Sequence, residues 1–512
     1  MDFPASDVKH TKDALYIPLG PSTTRKILVL AHHRAVIFLV AIILAAAFSR
    51  AKGQTSGQLK PFYAHVTRPE GLCTGVNGRT FSSIAGHIGL KGDTEAHPKR
   101  SFFWFFEAEH DSDNAPIILS VGGGPGSSGM VNPMLGQSPC AIAENRTVAN
   151  PNRWTEKFNL LALDHPIGVG FSYGTHVNTS RAGAYDVYDF LQKFFRLYPQ
   201  LSKNKFAVTS GSFGGAYVPN IAAVIHEQNI LLAQGKGQPG AVHIDLESVI
   251  LSNPLSDPIT HFQWLLQYRC VETSVYNATT CAEMYAVLPA CLETLQLAHD
   301  YPSTENNKKA FDLCFETMEG ADTHGTLIED VRRKSRLSEH CRKCEMTDGI
   351  ATCFPEIQWI SNYFNSPATK AALGISHLNF TSMSAVVNQG FVDSGDIIQR
   401  HHLLYEPLLK DGIRLLQYSG MYDASCAWPG VLSSLKLLRT PLQQDFNHAP
   451  EVPWPARENA TVRVVGEGAG QMTHVKVANA GHLTVKDQPA LVKMMVDHWM
   501  ENRPFVSGVK ST

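Results

Sequence analysis

The chain has no surplus of either charge. Among its 512 residues, 44 Lys and Arg stand against 46 Asp and Glu, a formal net charge of -2. A strongly basic field for nucleic acid and an acidic tail are both excluded. There is no internal repeat and no low-complexity tract. A second Cys-x-x-Cys to accompany Cys341–Cys344 is also missing, so a four-cysteine zinc site has only half its ligands and no metal is expected. Long hydrophobic runs are nearly absent too. The one candidate, AVIFLVAIILAAAF at 35–48, is shorter than the roughly 17–25 residues of a spanning helix.

What remains is ordinary globular material, 44% hydrophobic and 18% charged, long enough for one large domain with an insertion. Residues 1–34 read as a polar leader, and 35–49 as a signal-peptide core or signal anchor with small residues at Ala45–Ala47 and Ser49. A linker at 50–62 follows, and 63–512 read as the folded domain. Ten cysteines and N-x-[ST] sequons at Asn145, Asn178, Asn277, Asn379 and Asn459 agree with a glycosylated, disulfide-bonded domain of the secretory pathway. Secreted, vacuolar or lysosomal residence and membrane anchoring through 35–49 are all compatible with this reading, and the oligomeric state is not encoded in it.

Within 63–512, apolar strand-like runs at 81–90, 102–108, 116–121, 158–163, 206–209, 249–252 and 413–418 alternate with helical spacing at 184–198 and after Pro219. A hairpin at 462–465 and 474–477 and a helix from Pro489 close the chain. The expected fold is α/β, with a mainly parallel sheet and helices on both faces. From 255 to 355 the alternation stops, cysteines cluster and helices are predicted at 281–298 and 325–335. This segment reads as an inserted, disulfide-rich helical cap.

The sharpest local signal is KFAVTSGSFGGAYVP at 205–219. A buried strand ends in a turn of small residues and runs into a helix, the setting of a nucleophile elbow that exposes Ser212. Small residues at 210 and 214 let strand and helix backbones approach. A glycine run at 122–126 ends another strand and could aim backbone N–H groups into a site. It lacks the Lys-Ser/Thr of a P-loop, so an oxyanion hole competes with phosphate binding. Asp423 follows a later strand and His482 the last one, so Ser, Asp and His occur in the chain order of an α/β-hydrolase triad. Ser212 would attack a carbonyl, His482 would carry the proton, and Asp423 would orient the imidazole. The Phe213 N–H and one from the 122–126 loop would hold the oxyanion. No cofactor is required.

With those motifs in view, the sequence resembles the serine carboxypeptidases from about 70 to 506. GGGPGSSGM at 122–130 is similar to the family's WLNGGPGxSSL, and DHPIGVGFSYG at 164–174 to DQPVGVGFSYG. SGSFGGAYVP at 210–219 resembles GESYGGxYVP, LSNPLSDP at 251–258 the GNGxxDP segment, and GHLTVKDQP at 481–489 GHMVPxDxP. The resemblance implies an α/β-hydrolase with a cap, a Ser212, Asp423 and His482 triad, oxyanion donors at Gly124 and Phe213, and a free cysteine at Cys426.

It also exposes departures. The family reads a peptide's terminal carboxylate with an Asn and a Glu whose positions here are Gly122 and Gly211. Hydrogen bonds to a charged group contribute roughly 1.5–3 kcal/mol each, so losing both would cost two or more powers of ten. Ser120 replaces a Trp, Met421 an Asp, and Ser127 a cysteine whose bridge is absent or redirected through Cys73. Three readings follow: a carboxypeptidase releasing C-terminal residues from peptides, an esterase or acyltransferase with an altered substrate, and a silent binding protein on the same fold.

Overall fold

The computed structural model describes residues 61–505 other than 74, 79, 145, 335–353 and 456–458. The leader, the run at 35–49, the linker up to residue 60, Asn145 and Cys341–Cys353 therefore lie outside the described residues. Among the described residues no helix is long and apolar enough to cross a membrane.

Fourteen strands are described: β1 (Ala64–Thr67), β2 (Ser83–Gly89), β3 (Lys99–Phe106), β4 (Ile117–Val121), β5 (Cys140–Ala143), β6 (Arg146–Ala149), β7 (Asn159–Leu163), β8 (Tyr173–Gly174), β9 (Phe206–Ser212), β10 (Leu246–Pro254), β11 (Arg414–Gly420), β12 (Val452–Pro453), β13 (Ala460–Val465) and β14 (Met472–Val477). The large sheet runs β1-β2-β3-β7-β4-β9-β10-β11-β14-β13-β12, with β8 on β3. From β7 to β14 neighbours pair parallel, while both margins are antiparallel. This is the mainly parallel α/β-hydrolase sheet.

Its strands are apolar throughout because both faces are covered. In β3, Phe103 and Phe105 enter one core while Phe102, Trp104 and Phe106 enter the other. In β4 the same alternation sends Leu119 to one side and Ile118 to the other. Helix α1 (Ser180–Leu197) is started by the Thr179 hydroxyl, which accepts from the Ala182 N–H, and buries Val187, Leu191 and Phe194. Helix α2 (Gly214–Ala233) begins five residues before the expected Pro219. The chain turns helical directly after the elbow, and Pro219 sits inside the helix.

After β10 come α3 (Pro258–Leu266), α4 (Ala278–Asp300) and α5 (Thr304–Phe311). They share a third core stapled by Cys270–Cys281 and Cys291–Cys314. That core reaches Ala424 and Ala427, beside the candidate triad acid. The predicted helix at 325–335 does not form over its described part. Residues 326–334 make a turn closed by a Thr326–Lys334 bridge. Asp330 explains the difference, since its carboxylate accepts from the Arg332 N–H and pairs with Arg332 and Arg333. Such local bonds compete with helix. Cys73 pairs with Cys140, the redirected bridge, and Cys426 is free and buried. Helix α6 (Pro489–Met500) ends the description of regular structure.

Candidate active site

Ser212 closes β9 with φ at 58°, in the left-handed region that a non-glycine residue seldom occupies. The turn is held open by small neighbours. A Cβ at Gly214 would stand 2.1 Å from Ser210 Oγ, which is why that position carries no side chain. Ser210, where the family has glycine, donates to the Gly122 carbonyl at 2.8 Å and ties the elbow to the glycine loop. At Gly123 a Cβ would come to 2.4 Å of the Gly211 carbonyl, so loop and elbow touch backbone to backbone.

At the ends of β11 and β14, Asp423 and His482 meet: Asp423 Oδ2 lies 2.7 Å from His482 Nδ1. Asp423 is fully buried and its other oxygen accepts from the N–H groups of Ser425 and Cys426 at 2.8 and 3.1 Å. Burial pulls the His482 imidazole down, but Asp423, then Glu329 and Glu319, hold its pKa above the ordinary histidine value. Ser212 and His482 open onto one cavity of about 300 Å³, together with Gly122, Gly123, Gly124 and Gly211. Phe213 follows Ser212 at the head of α2, its ring buried. The arrangement provides a half-buried hydroxyl open to the cavity, an imidazole held by a buried carboxylate, and a glycine-rich rim, which is the equipment of acyl transfer.

Three contributors escaped the sequence reading. Asn253, at the end of β10, donates from Nδ2 to Asp423 Oδ2 at 2.7 Å, while its Oδ1 accepts from the Thr484 hydroxyl at 2.7 Å. It links the acid to the residues after His482, and its only sequence signal was its place in LSNPLSDP. Asp164, in DHPIGVGFSYG, accepts from the Ser128 hydroxyl and from the N–H groups of Gly129 and Phe171 at 3.0 and 2.8 Å. Burial pushes its carboxyl up to about 7. It anchors the far end of the glycine loop. Glu329 lines the cavity, and its carbonyl accepts from the His482 N–H at 2.7 Å.

The departures also acquire positions. A Cβ at Gly122 would lie 2.0 Å from the Ser127 carbonyl, so the loop as folded has no room for a side chain there. At Gly211 the nearest atom, the Ser252 carbonyl, is 3.1 Å away. Ser120 is buried and donates to Gln137 at 2.8 Å. Asn178, Asn277, Asn379 and Asn459 are all exposed, though the Asn277 side chain also caps α4 by accepting from the Thr280 N–H at 2.8 Å. No cluster of His, Cys, Asp or Glu able to hold a metal occurs among the described residues.

Comparison with known proteins decides the family. The serine carboxypeptidase family model matches residues 75–502. The chain belongs to the serine carboxypeptidase family. A carboxypeptidase Y homolog A from Sclerotinia sclerotiorum is 30% identical over 416 residues, covering 80% of this chain and 72% of that protein. Carboxypeptidase Y of Komagataella phaffii is likewise 30% identical over 421 residues, covering 80% and 74%. Among solved structures, Kex1Δp, a prohormone-processing carboxypeptidase from Saccharomyces cerevisiae, superposes with a TM-score of 0.70 at 20% identity, over 86% of this chain and 96% of its own. That likeness shows the shared fold. As a member of the serine carboxypeptidase family, the chain is a serine hydrolase.

Proposed function

We propose that the chain hydrolyses peptides through an acyl-enzyme formed on Ser212. His482 takes the Ser212 proton as the hydroxyl attacks the scissile carbonyl and returns it to the leaving amine. Asp423 holds the imidazole in the tautomer that presents Nε2 to Ser212 and stabilises its charged form. The N–H groups of Gly124 and Phe213 hold the oxyanion. Water then attacks the acyl-enzyme, with His482 again as base. The observation that carries this reading is the 2.7 Å Asp423–His482 contact, which opens on the same cavity as the strained Ser212. The compartment that fits the sequons and disulfides is the secretory pathway.

Family membership supports release of C-terminal residues as the form this hydrolysis takes. One observation favours the altered-substrate reading beside it: the loop has no space for a side chain at 122, where relatives read the terminal carboxylate. Esters or blocked peptides are the substrates that would need no such contact. Two measurements separate these readings. A fluorophosphonate should label the protein and fail to label Ser212→Ala; equal labelling of both removes every enzymatic reading. Peptides with free and amidated C-termini should then be compared. A free-form preference of tenfold or more supports the carboxypeptidase, whereas equal cleavage, or none of the free form, rejects it.

A further inference from the structure

Among the described residues, those lining the cavity include neither Lys nor Arg, and they include one carboxylic acid, Glu329. Of the described residues between 255 and 355, only Glu329 and Phe354 reach it. The other acids nearby are already paired: Asp423 with His482, Asp330 with Arg332 and Arg333, and Glu319 with Arg269 at 3.8 Å. Glu329 has no Lys or Arg within ion-pair distance among the described residues. Its backbone is fixed, because its carbonyl takes the His482 N–H, while the flanking Ile328 carbonyl takes the Ala424 N–H at 2.7 Å and the Val331 N–H reaches the Tyr422 carbonyl at 3.0 Å. The acid is thereby held at the wall of the cavity, close enough to His482 for each to shift the other's proton affinity.

When ionised, a carboxylate on a cavity whose described lining has no Lys or Arg repels an anionic substrate group and attracts a cationic one. Glycine at 122 and 211 adds no side chain to counter this. We propose that Glu329 is a specificity-determining residue that receives a cationic substrate group, the side chain of a Lys or Arg next to the scissile bond. The inference rests on Ser212 being the nucleophile of this cavity; it does not depend on which end of a peptide is cleaved. Burial, and the nearby Asp423, raise the Glu329 pKa above the ordinary glutamate value, while His482 and Arg269 oppose the rise. Cation selectivity should therefore fade as the pH is lowered, beginning above the usual carboxylate range.

The test uses paired fluorophosphonates of equal length whose alkyl arm ends in trimethylammonium or its neutral isostere tert-butyl, with short and long arms. The readout is the ratio of their second-order labelling rates within each protein, so any change common to both probes cancels. The full chain should react about tenfold faster with the cationic member at pH 7.5, and Glu329→Gln should bring the ratio to near one. Glu329→Asp, which keeps the charge, should retain most of it. A ratio near one in the unaltered chain, or one that Glu329→Gln leaves in place, overturns the proposal. Because labelling needs no peptide turnover, failure of the peptide-hydrolase reading would appear as labelling without cleavage and leave this comparison intact.

Discussion

Gly122 and Gly211 stand at corresponding departures from the family, yet the structure treats them differently. A Cβ at 122 would stand 2.0 Å from a backbone oxygen, whereas at 211 the closest atom is 3.1 Å away. The loop at 122 must move before any side chain fits, and forced overpacking of this kind costs typically about 1–3 kcal/mol. Gly122→Asn should therefore lower the thermal midpoint and slow fluorophosphonate labelling, while Gly211→Glu should fold close to the parent. Melting curves of the two variants test this, and a larger loss for Gly211→Glu would contradict the packing argument. The candidate triad itself was legible at residue scale. Ser212 ends β9, Asp423 follows β11 and His482 follows β14, and that chain order of strand-end residues was enough to bring the three together. Asn253 was not legible, because its meaning lies in two hydrogen bonds to residues 170 and 231 positions away.

At the scale of elements, the turn at 326–334 ties together the loops that carry the acid and the base. Its backbone bonds reach Tyr422, Ala424 and His482, and Arg332 and Arg333 reach Asp487 at 3.4 and 3.7 Å. Asp487 in turn accepts from the Gly481 N–H at 2.8 Å, immediately before His482. Removing that acceptor leaves a half-buried donor unsatisfied, a loss of about 1–3 kcal/mol. Asp487→Ala should lower kcat about tenfold with KM nearly unchanged, and Asp487→Asn, which keeps an oxygen for Gly481, should recover most of it. Steady-state kinetics on one peptide check both, and a KM effect without a kcat effect would mean that the contact does not position His482. The helix predicted over this segment failed because its apolar spacing was outweighed by Asp330, whose carboxylate organises a turn. Spacing alone does not register that competition.

For the molecule as a whole, acid stability is set partly by histidines sealed in the core. His165 packs edge-on against Tyr217 with its Nε2 unpartnered, and burial depresses its pKa to about 3. The folded chain keeps this imidazole neutral, while the unfolded chain protonates it below about 6.5. The stability it carries is present above pH 6.5 and is lost as the pH falls toward 3, at about 1.4 kcal/mol per pH unit. His165→Gln, the residue found in the family motif, removes that titration. Between pH 7 and 4.5 the variant should lose about 2–3 kcal/mol less stability than the parent. Denaturant unfolding at the two pH values measures the difference, and parallel losses would show that His165 is not neutral in the fold.

The amino-acid sequence alone determined the sheet type, the elbow and the chain order of Ser212, Asp423 and His482. Those are properties of side-chain period and of short stretches, which each segment carries wherever it ends up in space. The tertiary structure decided that Cys73 pairs with Cys140, that Asp164 anchors the glycine loop, that position 122 admits no side chain and that Glu329 faces the cavity. Each depends on where a distant backbone passes, often within 3 Å, and no local pattern records that distance.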